Sequence, residues 1–475
     1  MHGPRPASVT TVDINAELHL GYLWTIAFVA ALGGLLFGYD WVVIGGAKPF
    51  YEAWFHLDSD ALVGWANSCA LIGCFAGSLL AGQASDRIGR KRVLVLSALL
   101  FAISSVLTGW APSFAAFITW RITGGVAIGL ASNVSPMYIA EISPAAWRGR
   151  LVSLNQLAIV IGILCAQVAN WRIAHKVPPG LNGAALAASW NAEYGWRWMF
   201  TAVAVPAVIF LATAPFIPES PRWLAARLHP QQAIDVLRRI GGASYAKAEL
   251  ESIESSLAAP ADKARWHELF APTGRKLVLT GMALAILQQG SGINILFNYA
   301  EEVYRSAGYG VNDIMFNIVI TGTINLLFTI FAMLLVDRFG RRPLMIFGCL
   351  SIGASHLAAS VAYRAHLQGF WVLVLTLCAI ACYAMSLAPV TWVLITEIFP
   401  NRMRASAVSI SVAALWVASF VLTYTFPLLN QSLGTSGAFL IYALICFAGA
   451  GFVYLAVPET KGRSLERLEE AMAAE

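Results

Sequence analysis

The sequence predicts an all-α polytopic membrane protein, twelve transmembrane helices in two pseudo-symmetric six-helix halves, and three observations predict it. The 475 residues are 58% hydrophobic and only 12% charged, well below the charge of an ordinary soluble chain. The charges are clustered and leave apolar runs of about 20 residues, the length that crosses a bilayer. Motifs at the ends of those runs recur in the same order in the second half of the chain. A transmembrane barrel would instead show alternation in segments of ~10 residues.

Taken in order, the runs place helices near 22–46, 61–85, 93–110, 114–138, 151–170 and 197–217. A second set lies near 276–304, 312–336, 343–363, 370–396, 405–427 and 436–457. Residues 1–20 are polar and mixed, so no cleaved signal peptide is read and 22–46 is a retained helix. The organisation is a tail (1–20), a first half (21–217), a linker (218–275), a second half (276–457) and a tail (458–475). In the linker, Gln231 to Ile240 and Tyr245 to Leu257 space apolar residues at three and four, as short amphipathic helices do. Glu249, Glu251 and Glu254 form their solvated face.

This topology puts both termini on one side, with all but seven of the 31 Lys and Arg residues. Lys48, Arg172, Lys176, Arg197, Arg305 and Arg364 lie on or near the other side, and Arg121 lies inside a span. The positive-inside rule makes the heavy side cytoplasmic. The net charge of +5 therefore reports orientation in membrane lipid, not a nucleic-acid partner. All seven cysteines fall within spans without a CxxC pair, so neither disulfides nor a zinc site is indicated. Cys378 and Cys382 read as small packing residues. No nucleophile–base constellation or metal-ligand cluster appears in the spans, which argues against an enzyme and gives no reason to expect a cofactor.

The repeats are specific. "DRIGRKR" at Asp86 returns as "DRFGRRP" at Asp337, "EISPAAWRGR" at Glu141 as "EIFPNRMRA" at Glu397, and "PESPR" at Pro218 as "PETKG" at Pro458. Three ordered matches imply parallel duplicated halves, an architecture that places a ligand site at the interface near mid-membrane.

Polar groups inside the spans indicate what that site offers. "ILQQGSGINILFNY" (Ile286 to Tyr299) carries two glutamines, two asparagines and a serine in an otherwise apolar stretch. Unpaired amides facing lipid cost several kcal/mol each (about 2–7). Gly290 and Gly292 permit local unwinding, which membranes tolerate where backbone lines a cavity. Asp40 and Arg121 each sit roughly 10 Å below the outer surface at ~1.5 Å per residue, so they are expected to pair. A rearrangement that parts them leaves a lone buried carboxylate, which takes up a proton. In the duplicated half Ala300 stands in the place of Asp40, so only the first half carries the ion. His356 has no charged neighbour and is expected to be packed and hydrogen-bonded. The pairs Gly34/Gly38, Gly73/Gly77 and Gly125/Gly129 have the spacing of close helix packing.

Together "GGLLFGYD", "DRIGRKR", "SPMYIAEISPAAWRGRLVSLNQ", "PESPRWL", "QQGSGIN", "DRFGRRP" and "PETKGRSLE" resemble the sugar porter family of the major facilitator superfamily, from Gly21 to Glu466. The resemblance is greatest to bacterial proton-coupled pentose and hexose symporters. It implies import of a monosaccharide such as a pentose or hexose with a proton by a monomer in the bacterial inner membrane. A sugar's hydroxyls both donate and accept, which carboxamides match without charge, and aromatic rings cover its C–H face. By resemblance Gln156, Gln288, Gln289, Asn294, Asn325 and Trp392 bind the sugar, Trp416 and Phe37 line the same cavity, and Asp40 with Arg121 couples the proton. Arg90, Arg148, Glu219, Arg342, Glu397 and Arg404 match a cytoplasmic charge network that closes the inner gate. The chain departs from the symporter pattern at Ile163, where a second glutamine is usual, and at Asn298, Ala388 and Leu415. Facilitative uniport without proton coupling, and a non-transporting sugar receptor, are the alternatives.

Overall fold

The computed structural model describes residues 18–177, 184–258, 269, 271–367, 369–399 and 403–460. Of the expected tails (1–20 and 458–475), residues 1–17 and 461–475 lie outside these residues, as do 259–268 and 270 of the linker. The described residues are helical, without a strand.

In the first half α1 (Leu20–Phe55), α2 (Asp60–Ile88), α3 (Arg90–Gly109), α4 (Phe114–Ile142), α5 (Ala145–Ile173) and α6 (Asn191–Phe216) each cross once. The linker carries α7 (Pro221–Ala226) and α8 (Pro230–Ala258), the latter broken at Gly241 and Gly242 where the two amphipathic runs meet. Trp223 Nε1 donates to the Asp86 carbonyl at 2.9 Å and the His19 N–H to the Ile240 carbonyl at 2.8 Å, which seats the linker under the first half.

The seventh pass is in pieces: α9 (Pro272–Gly290), α10 (Ile293–Asn298) and α11 (Ala300–Ser306). Gly292 has φ +78°, a left-handed conformation that a side chain would strain. The eighth and ninth passes are α12 (Val311–Phe339) and α13 (Arg341–Arg364). The tenth divides at Ser386 into α14 (Phe370–Met385) and α15 (Leu387–Glu397), because Pro389 cannot donate into the preceding turn. The last two passes lie within α16 (Arg404–Ala456), which turns back at Gly434 (φ +68°) and brings Phe426 against Ala438 and Tyr442.

Small residues set how closely the helices approach. A methyl group on Gly73 or Gly77 would strike the α4 backbone, and one on Gly125 or Gly129 would strike the α2 backbone. The two glycine pairs therefore face each other and let the backbones touch. The halves meet along α2 against α16, α5 against α12, and α1 against α10 and α11.

Candidate functional site

The break after Gly290 decides the chemistry of the centre. Ending α9 there frees carbonyls that a continuous helix would satisfy. His356 Nε2 on α13 donates to the Ser291 carbonyl at 2.8 Å, and its ring is buried against Phe439. This is the packed, hydrogen-bonded role expected for it.

The same break aims three amides at one another. Gln288 and Gln289 are both buried, and Gln289 Nε2 donates to Gln288 Oε1 at 3.2 Å. Asn294 Nδ2, from the first turn of α10, donates to Gln289 Oε1. Adjacent glutamines on a straight helix point about 100° apart; the unwound turn lets Asn294 join them. The ladder spans α9 and α10 and sits in the second half.

Facing helices contribute further amides and rings. Asn325 on α12 is buried, and Gln156 on α5 is half-buried. Buried Trp416 lies 6.1 Å from Phe37 and 5.9 Å from Trp41, ring centre to ring centre. Trp41 was not among the expected residues, yet it closes the aromatic trio. Trp392 on α15 is 39% exposed. Ile163, in place of a glutamine, packs among Val42, Ile293 and Phe297. One turn further along α5, buried Gln167 reaches across the halves to Thr321 Oγ1 at 3.4 Å. Among the described residues of α5, α12 and α16, buried polar atoms without a protein partner include Trp416 Nε1, Gln167 Oε1, Asn155 Oδ1 and Asn317 Nδ2. Each such atom costs about 1–3 kcal/mol if nothing meets it. The arrangement suits a ligand rich in groups that both donate and accept.

Asp40 and Arg121 form a buried ion pair between α1 and α4, with Arg121 Nη1 at 3.0 and 3.1 Å from the two carboxylate oxygens. The guanidinium also lies 5.4 Å from the centre of the Phe200 ring, a cation–π contact. The pair belongs wholly to the first half. A cavity of about 10 Å³ beside it is lined by Arg121, Trp41, Asn67 and Asn298 with apolar neighbours. That is room for about one water, and it lies between the ion pair and the aromatic trio, not at the amide ladder.

On the basic side the duplicated motifs build matching networks. Arg90 grips Glu141 through Nε and Nη2, each at 3.0 Å. Glu219 Oε1 accepts the backbone N–H groups of Arg90, Lys91 and Ser220 at 2.9, 3.2 and 2.9 Å, placing negative charge at the positive end of α3. In the second half Arg341 reaches Glu397 at 3.5 Å, and Glu459 accepts the N–H groups of Arg341 and Arg342 at 3.1 and 3.2 Å. Arg341, not Arg342, is thus the counterpart of Arg90. The Arg342 guanidinium goes instead to the Tyr454 carbonyl and ring. Arg148 and Arg404 hold loop carbonyls, those of Ser143 and Phe399, at 3.5 and 3.2 Å. Glu141 and Glu459 were missed from the sequence, although both stand in the repeated motifs.

Glu219→Ala is expected to lower stability by about 1–3 kcal/mol, because it orphans three backbone donors at once. Arg148→Ala removes one long contact and is expected to fall within about 0.5 kcal/mol of the parent. Thermal unfolding of the two purified variants separates them; equal midpoints would remove Glu219 from its capping role.

Comparison with known proteins agrees with this geometry. A sequence profile of the family described as "Sugar (and other) transporter" matches residues 26–472. The chain is 37% identical to the D-xylose-proton symporter of Escherichia coli strain K12, covering 96% of this chain and 97% of that protein. It is 35% identical to the arabinose-proton symporter of Bacillus subtilis strain 168, covering 97% of each. Against the inward-open xylose transporter of Escherichia coli the TM-score is 0.83 at 36% identity, over 94% of this chain and 99% of that one. Against the proton:xylose symporter bound to 6-bromo-6-deoxy-D-glucose it is 0.78 at 37% identity, over 95% and 99%. The fold, the duplicated motifs and these similarities agree, and the chain belongs to the sugar transporter family of the major facilitator superfamily.

Proposed function

We propose that this protein imports a monosaccharide, a pentose or hexose, together with protons by alternating access. It acts in the bacterial inner membrane, with both termini cytoplasmic. The observation that carries this reading is the placement of two buried polar features on opposite halves: the Gln288–Gln289–Asn294 ladder on the second and the Asp40–Arg121 pair on the first. The halves move relative to each other in the cycle, so a ligand gripped by one half changes the surroundings of a charge held in the other.

The sugar's hydroxyls bond the amides of α9 and α10, with Gln156 and Asn325 from facing helices. Trp416, Phe37, Trp41 and Trp392 cover its C–H face. Asp40 carries the proton, and its pair with Arg121 parts when the helices move. The basic-side networks of Arg90 with Glu219 and Arg341 with Glu397 brace each half, and Arg148, Arg342 and Arg404 fix the helix ends they join. One chain contains both features, so a monomer suffices.

The proton half of the proposal is tested by adding sugar to proteoliposomes that hold no sugar inside. Symport predicts alkalinisation of the outer medium for each sugar that competes with a labelled one across a panel of glucose, xylose, galactose, fructose and inositol. Sugar entry with no pH change would make the protein a facilitator.

A further inference from the structure

Beyond the Asp40–Arg121 pair lies a second group of buried charges. Lys48, two turns further along α1, is 2% exposed. It contacts Glu52 on its own helix at 2.9 Å, and on α11 of the other half it contacts Glu302 directly and Glu301 at 3.9 Å. Its ammonium also lies 5.6 Å from the centre of the Tyr299 ring, and the Tyr299 hydroxyl donates to the Thr423 carbonyl at 2.7 Å. Glu301, 1% exposed, is held by half-exposed Arg305. Three carboxylates therefore share two cations, and Lys48 is the cation that the first half contributes.

Beneath the cluster the halves are in apolar contact. Val42 and Ile163 meet Ile293, Leu296 and Phe297, and Gly45 lies against the Phe297 carbonyl so closely that a methyl group would not fit. This mouth, opposite the basic side, is shut.

We propose that Lys48 is the latch of that mouth: a single buried cation by which the first half holds α11 of the second. The proposal rests on the alternating-access reading above, because a mouth that opens must draw Glu301 and Glu302 away from Lys48. In the shut state Lys48 neutralises carboxylates that would otherwise repel one another across a dry interface. Without it, three carboxylates face one cation and the shut state loses its advantage. In the open state water solvates all five groups, and the same substitution changes little. Removing Lys48 therefore shifts the conformational balance by acting on one state only.

Hydrogen–deuterium exchange of the full-length protein reads that balance without reference to sugar or proton. Lys48→Met is expected to speed exchange in 45–56 and 299–306 by roughly tenfold or more, the scale for breaking a buried charge pair. Exchange in 86–92 and 141–150 on the basic side is expected to slow. The charge swap Lys48→Glu/Glu302→Lys is expected to return both regions toward the parent. Unchanged exchange at 299–306 in Lys48→Met would overturn the latch, as would faster exchange on both sides, the mark of a loosened fold. A swap that stays open would also overturn it. Sugar binding by the unsubstituted protein in the same preparation would leave the transport reading standing in any of those cases.

Discussion

Asp40→Asn is expected to abolish uphill sugar accumulation while sugar exchange between the two sides persists. A membrane potential contributes about 2.3 kcal/mol per charge for each 100 mV. One proton per sugar at that potential therefore supports roughly 50-fold accumulation. Asparagine keeps the shape of the aspartate and removes the titratable group, so the gradient no longer reaches the sugar and accumulation falls to unity. Exchange needs only the rocking of loaded halves, which the amide ladder on the second half supports unaided. Arg121 complicates the result, because the variant leaves a buried guanidinium that has lost its carboxylate, at a cost of about 3–5 kcal/mol. The companion Asp40→Asn/Arg121→Gln removes both charges and relieves that penalty. It is expected to fold like the parent and to lack accumulation all the same. Accumulation that survives in either variant would exclude Asp40 as the coupling site.

Gln289→Ala is expected to weaken sugar binding by about 30- to 1000-fold, or 2–4 kcal/mol. Gln289 is the middle of the ladder, donating to Gln288 and accepting from Asn294. Its truncation removes its own contacts with the sugar and frees two neighbours that it holds in position. Gln288→Ala and Asn294→Ala each remove an end of the ladder and are expected to cost less. The parent and the three variants are compared by equilibrium titration with the best sugar of the competition panel. A Gln289→Ala affinity within threefold of the parent would mean that the ladder is a helix-bracing contact and the sugar sits elsewhere.

Much of this site was legible in the sequence because its signals are local. Gly290 and Gly292 announce the break in α9, and a lone Asp and Arg at similar depth announce their pair. Repeated motifs gave the paired networks on the basic side, and aligning Gly89 with Gly340 would have named Arg341 in place of Arg342. Other features depend on partners far along the chain. Lys48 and Pro49 read as the end of a span near residue 46, yet α1 continues to Phe55. Residues Lys48 to Tyr51 stay buried because Glu301 and Glu302, some 250 residues on, join Glu52 in neutralising Lys48. No pattern in α1 alone reports that. Trp41 and Gln167 were passed over for the same reason: their roles come from Trp416 and Thr321 on the opposite half.

Coupling between the two halves is the claim on which the transport cycle turns, and calorimetry tests it directly. Sugar is titrated into the purified protein in two buffers of different ionisation enthalpy, and the difference in heat gives the protons taken up per sugar bound. Linkage requires that if protonation tightens sugar binding, sugar binding draws in protons to the same degree. The parent is expected to take up a fraction of a proton per sugar near neutral pH, and Asp40→Asn none. Identical heats in both buffers for the parent, from about pH 5 to about pH 8, would show that sugar and proton do not sense each other.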